Sequence, residues 1–251
     1  MIQLRKAKEI ETLRKANQIV ARTLDYLERE IKVGMSLREI AALAEDFILK
    51  SGAKPSFKGL YDFPSAICTS LNSICIHGIA DDKIIKEGDV LGLDVGTLFE
   101  GYYGDAARTI GIGEISPNDV ALIACAKDAL YFAIDSIKEG MRFKELSALL
   151  GAFIQSRGFV PLQGYCGHGI GDKPHCEPEI LNYLEEGDSI KNGPKIKNGM
   201  VFCLEPMICQ KDGTPTHSNG RWDAASADGL NTAHFEHCVA MIKGRAEILS
   251  L

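Results

Sequence analysis

The sequence predicts an α+β protein built from two similar halves facing each other, and three observations predict it. Residues 31–55 and 137–161 match at a constant offset without a gap; Gly34/Gly140, Met35/Met141, Glu39/Glu145, Leu43/Leu149, Phe47/Phe153, Ile48/Ile154, Gly52/Gly158 and Pro55/Pro161 are identical pairs. Each half opens with apolar residues at helical spacing and closes with short runs of strand character. A second match, residues 86–94 with 197–205, aligns two strands that end in Asp94 and Glu205. A period this long is not a solenoid unit. The expected halves are residues 8–116 and 117–245 of one domain spanning 1–251.

The elements follow in order. Leu13, Ala16, Val20, Leu24, Leu27 and Ile31 keep helical spacing, as do Ile123, Leu130, Ile134 and Ile137. Each first helix ends near a Gly-Met pair. Ser36 and Glu39 predict a capping box for the second helix of the first half, because each can satisfy the other's free backbone N–H. Gly52 and Gly158 predict its C-terminal stop and that of its counterpart. Strands are expected at 66–76, 89–95 and 102–112, with Phe99-Glu100-Gly101 near a hairpin turn, and at 201–205 and 234–242.

With 251 residues and 45% hydrophobic content the chain can bury a full core. The net charge of −6 argues against a general nucleic-acid binder, which carries a basic stripe. The eight cysteines show no C-x-x-C spacing and fall mostly in apolar runs, so they read as reduced, buried thiols of a cytoplasmic protein. No apolar h-region follows Met1, and no run approaches the ~20 residues of a membrane span.

Five side chains are suited to bind metal: Asp94, Asp105, His168, Glu205 and Glu236. Asp94 by itself reads equally as a hydrogen-bonded strand residue. Asp105, eleven residues on, could face it across a hairpin, since strand side chains alternate faces. Glu205 follows the apolar Phe202-Cys203-Leu204, where an unpaired carboxylate is costly to bury. Oxygen-rich ligation with one imidazole suits Mn²⁺, Fe²⁺, Co²⁺ or Zn²⁺ in a catalytic centre rather than a structural zinc. His168 lies among Gly164, Gly167, Gly169 and Gly171, which let backbone approach a ligand. His77 and His175 have similar settings. His217 and His234 read as structural, and alternation turns His237 away from Glu236. No Walker loop, G-x-S-x-G or H-E-x-x-H is present.

From about residue 10 to residue 242 the chain resembles the type I methionine aminopeptidases. The motifs are Cys75-Ile76-His77-Gly78-Ile79, Leu93-Asp94-Val95-Gly96, Gly104-Asp105-Ala106-Ala107-Arg108-Thr109, Gly164-Tyr165-Cys166-Gly167-His168-Gly169-Ile170-Gly171, Leu204-Glu205-Pro206-Met207 and Glu236-His237. The resemblance implies the pita-bread fold, a single catalytic domain with a curved antiparallel sheet, and removal of N-terminal methionine before a small second residue. It implies two divalent ions (Co, Mn, Fe or Zn) held by Asp94, Asp105, His168, Glu205 and Glu236, with Asp105 and Glu236 bridging. It implies catalytic roles for His77, His175 and Glu205, and a methionine pocket of Phe63, Cys68 and Trp222 near Pro174, with His77 and His175 also touching substrate. A monovalent cation near Asn72, Ile74 and Thr232 follows by likeness, as do nascent-chain N-termini as partners, a ribosomal setting, a monomer and cytoplasmic location. The chain lacks the type II insertion and the N-terminal zinc-binding extension, as in the short bacterial form. It departs from the family at Phe63, often Tyr, and at Cys176, usually Glu; the stretch 182–197 is longer. An X-Pro peptidase and a non-catalytic binder of nascent chains are the competing readings.

Overall fold

The computed structural model describes residues 2–217 and 222–251. The first half runs α1 (Ala7–Glu30), α2 (Leu37–Lys50), β1 (Lys54–Pro55), β2 (Cys68–Leu71), β3 (Ile74–Ile76), β4 (Val90–Phe99) and β5 (Tyr102–Gly111). The second runs α3 (Pro117–Ser136), α4 (Phe143–Ser156), β6 (Val160–Pro161), β7 (Cys166–Gly169), β8 (Cys176–Leu181), β9 (Val201–Leu204), β10 (Met207–Cys209), β11 (Pro215–Thr216), β12 (Ala224–Ser226), β13 (Thr232–His234), β14 (Glu236–Ile242) and β15 (Arg245–Ile248).

The repeat is visible residue by residue. The last residues of α1 and α3, both ends of α2 and α4, and β1 and β6 all keep the offset that separates Gly34 from Gly140. The predicted capping box forms: Ser36 Oγ accepts from Glu39 N at 3.2 Å and Ser36 N donates to Glu39 Oε2 at 2.7 Å. Its counterpart Arg142 caps nothing with its side chain. Gly52 and Gly158 follow the helices with φ of 82° and 83°, the left-handed conformation that glycine adopts without strain.

The central sheet is antiparallel, in the order β1-β4-β5-β14-β9-β7-β8, with β2 also on β4 and β15 also on β14. Leu91, Leu93 and Val95 pack with α1 and α2, while Phe202, Leu204, Val239 and Met241 pack with α3 and α4. Period-2 alternation therefore turns Asp94, Asp105, Glu236 and the residue after β9, Glu205, toward the other face.

Two expectations need correction. The run 66–76 is two strands, β2 and β3, with Asn72 between them at a positive φ of 58°. The aligned strands also do not both end at their carboxylates. β4 continues through Asp94 to Phe99 because β5 pairs with it along its whole length, across a turn whose Glu100 and Gly101 both have positive φ. β9 does stop at Leu204, since Pro206 has no N–H for a ladder.

Helix α1 holds β5 at Asp105. Asn17 Oδ1 accepts from Asp105 N at 3.1 Å, and Thr97 Oγ1 donates to Ala16 O at 3.0 Å. The contact is close because residue 104 is glycine: a Cβ there would lie 2.7 Å from the backbone carbon of Ala16. Gly104→Val should push α1 off the strand and cost about 1–3 kcal/mol of stability. A urea midpoint equal to the wild type would contradict this packing.

Candidate metal centre

Strand register brings the acidic residues into one row. Asp94 pairs with Ala107 on β5, and Ala107 pairs in turn with Glu236 on β14. In the register only the small methyl of Ala107 stands between the two carboxylates. Asp105 pairs with Gly96, so it stands diagonally to Asp94 rather than directly opposite as the spacing suggested. Diagonal neighbours still meet across a sheet. His237 pairs with Leu204, and one step further along the same register sets Glu236 opposite Glu205. On the far side His168 arrives on β7. That strand lies close to β8 and β9 because a Cβ on Gly167 would strike the carbonyl of Cys203, and one on Gly169 the carbonyl of Glu177.

All five residues line one cavity of about 1080 Å³, together with His77, His175, Phe63, Cys68 and Trp222. Pro174, expected near the pocket, is half-buried and does not itself line the cavity; its neighbour His175, in the turn before β8, does. Phe63 meets Trp222 edge to face at 5.5 Å, and both pack with Phe57, Cys68 and Ile79. Trp222 is therefore part of the cavity wall. Its neighbours Asn219, Gly220 and Arg221 lie outside the described residues.

The electrostatics call for positive charge. Asp105, Glu205 and Glu236 are buried. Burial drives all three carboxyls well above their ordinary range, with further upward pressure from neighbouring carboxylates. Burial pushes Asp94 up to about 6. Burial pulls His168 down to about 3 and His77 to about 4, so both imidazoles are neutral at working pH.

Five buried side-chain N or O atoms among the described residues have no hydrogen-bond partner, and four of them are here: Asp94 Oδ1, Asp105 Oδ1, Glu236 Oε1 and His234 Nε2. Orphaned buried oxygens are expensive unless a cation satisfies them. His168 points the same way. Its Nδ1 lies 3.1 Å from Gly169 O, which places the proton there and leaves Nε2 as a lone pair. That lone pair faces Glu205 Oε1 at 3.5 Å. Two acceptors facing each other are reconciled by a cation between them, and an imidazole anchored to a carbonyl through its other nitrogen is the usual metal-ligand arrangement. The donor set fits divalent metal.

Two residues here were missed or misread in the sequence. Donor atoms of Asp105, His168, Glu236 and Cys203 all lie within 4.8 Å of one another. Cys203 precedes Glu205 by two, so strand alternation was the available signal. His234, read as structural, is buried with Nε2 3.6 Å from Glu205 Oε2; it precedes Glu236 by two. His237 does face away, with Nδ1 2.9 Å from Ser250 Oγ, and His217 Nδ1 lies 2.7 Å from the Asp223 carbonyl. Outside the centre, Thr232 N and Oγ1 both donate to the Asn72 carbonyl, at 2.9 and 3.0 Å.

The model of metallopeptidase family M24 matches residues 11–243. The chain belongs to this family. It is similar to the methionine aminopeptidase of Helicobacter pylori (strain ATCC 700392 / 26695), 55% identical over 99% of this chain and 98% of that one. Among solved structures, this M24 chain superposes on the methionine aminopeptidase from Thermotoga maritima with a TM-score of 0.95 at 34% identity, covering 100% and 99% of the two chains. It superposes on the prolidase from Pyrococcus furiosus with a TM-score of 0.80 at 27% identity, covering 99% of this chain and 65% of that one. Its fold is thus the α+β pita-bread fold of M24, and membership of a metallopeptidase family implies divalent metal. Among the described residues no helix is long and apolar enough to cross a membrane.

Carboxyl pKa values raised in the folded state mean that the metal-free fold binds protons more tightly than the unfolded chain. That stability is full at low pH and is lost as pH rises through the folded values. The lowered histidine values act the other way, but only below the unfolded histidine value of about 6.5. Chelated protein should therefore show a falling Tm as pH rises from about 6.5, with the loss reversed by excess Mn²⁺. A Tm that rises with pH in chelator would contradict the buried-carboxylate account.

Proposed function

We propose that this protein is a methionine aminopeptidase that removes the N-terminal methionine of peptides and nascent proteins when the second residue is small. The observation that carries the reading is one cavity in which five metal-suited side chains adjoin an apolar wall of Phe63, Cys68 and Trp222. Asp94, Asp105, His168, Glu205 and Glu236 would hold two divalent ions, with Asp105 and Glu236 shared between them. When bound, such ions supply Lewis acidity and lower the pKa of water toward neutrality.

The protein's own groups do the rest. The substrate's free α-amine is drawn to the carboxylate row, which restricts cutting to N-termini. Its methionine side chain packs between Phe63, Cys68 and Trp222, a burial worth about 1.5–3 kcal/mol. Thioether contact with the aromatic edges adds to this. Glu205 takes a proton from water as the water oxygen bonds to the peptide carbonyl carbon, and gives it to the leaving amine as the C–N bond breaks. His175, at the exposed rim beside His168 (ring centroids 4.5 Å apart), donates a hydrogen bond to the carbonyl oxygen as negative charge develops there. His77 contacts the scissile nitrogen. The reading extends to a monovalent cation near Asn72, Ile74 and Thr232, and to a cytoplasmic monomer acting on chains as they leave the ribosome.

Metal-loaded protein should release methionine from Met-Ala-Ser and leave Xaa-Pro peptides intact; the reverse preference would favour the prolidase-like reading. Asp105→Ala or Glu236→Ala should lose activity and metal together, and full turnover by either would break the bridging assignment. His175→Ala should lower kcat about 10²–10³-fold with metal content unchanged. Loss of metal from this variant would make His175 a ligand.

A further inference from the structure

We propose that His234 is a positioning residue for Glu205: its Nε2–H is directed at Glu205 Oε2 and fixes how that carboxylate is presented to the centre. The inference rests on the reading of Glu205 as ligand and proton carrier.

His234 closes β13 and is buried. Its backbone is clamped to β5: His234 N donates to Thr109 Oγ1 at 2.8 Å, and the same hydroxyl donates to His234 O at 2.9 Å. The ring thus stands at a set place two residues before Glu236. Its Nε2 is 3.6 Å from Glu205 Oε2 and makes no hydrogen bond to any group in this structure. Glu205 consequently has an imidazole nitrogen on each oxygen, His168 at Oε1 and His234 at Oε2.

The two imidazoles are not equivalent. His168 is anchored through Nδ1 to a backbone carbonyl, so its Nε2 is a lone pair fit for a metal. Among the described residues Nδ1 of His234 makes no such bond, so nothing commits its proton to that nitrogen. Ionised carboxylates only accept hydrogen bonds. The tautomer with hydrogen on Nε2 is then the one that finds a partner, and that partner is Glu205. The separation exceeds the usual range of about 2.7–3.2 Å for a hydrogen bond. Catalytic hydrogen bonds of this kind tighten once substrate is seated.

The test compares wild type, His234→Leu and His234→Gln, each loaded with Mn²⁺. Turnover of Met-Ala-Ser is measured, Mn²⁺ affinity is read by titration calorimetry, and the imidazoles bound to the metal are counted by X-ray absorption. Leucine fills similar space without a donor, while glutamine keeps an N–H. His234→Leu should lose about 10–100-fold in kcat with KM nearly unchanged. His234→Gln should stay close to wild type in kcat and Mn²⁺ affinity, and the imidazole count should be the same in all three. If His234→Leu fails to fold, His234→Asn, whose amide falls short of Oε2, takes its place with the same expectation. Wild-type kcat in the leucine (or asparagine) variant would overturn the proposal. So would equal losses in both variants with one imidazole fewer on the metal, which would make His234 a ligand. Failure of the wild type itself to release methionine would sink the functional reading instead.

Discussion

Mutual repulsion among buried carboxylates is the constraint around which the cavity is organised. Asp94, Asp105, Glu205 and Glu236 share one face of the sheet and line one cavity, and one oxygen each of Asp94, Asp105 and Glu236 has no hydrogen-bond partner. A cluster of this kind is unfavourable on its own account. The fold tolerates it because two hydrophobic clusters elsewhere fix the strands that carry it, and because divalent charge would turn repulsion into ligation. The cost of the apo state and the affinity of the holo state are therefore the same electrostatic fact seen from two sides.

The architecture supplies precision where that fact demands it. Register sets which carboxylates meet, so a slip of one residue would send Asp94 into the helix-packed core and Leu93 into the cavity. Ala107 acts as a spacer between Asp94 and Glu236, and glycines flanking His168 allow three strands to crowd together. Duplication does the rest: equivalent strands from the two halves deliver Asp94 and Glu205 to a common space, each half contributing carboxylates to a cluster that neither could assemble by itself.

Much of this was legible in the chain. The repeat fixed the helix limits, the Ser36–Glu39 box and the glycine stops, because those features depend on local chemistry that sequence displays directly. Alternation also placed His237 correctly. What escaped notice depended on register between distant segments. The Asp94–Asp105 pair proved diagonal because the hairpin turn sits at Glu100-Gly101, which sets the pairing two residues away from a direct match. Cys203 was passed over and His234 read as structural because each looks apolar-flanked and ordinary along the chain. Only the folded structure shows that Cys203 Sγ lies among the donor atoms of Asp105, His168 and Glu236, and that His234, on β13, stands against Glu205.

Anomalous X-ray diffraction from crystals grown with Mn²⁺ or Co²⁺, recorded at the absorption edge of each metal, tests the central claim most directly. The account predicts two peaks about 3.5–4 Å apart, within bonding distance of oxygens from Asp94, Asp105, Glu205 and Glu236 and of His168 Nε2. Ions bound elsewhere on the protein, with this carboxylate row left unliganded, would contradict it.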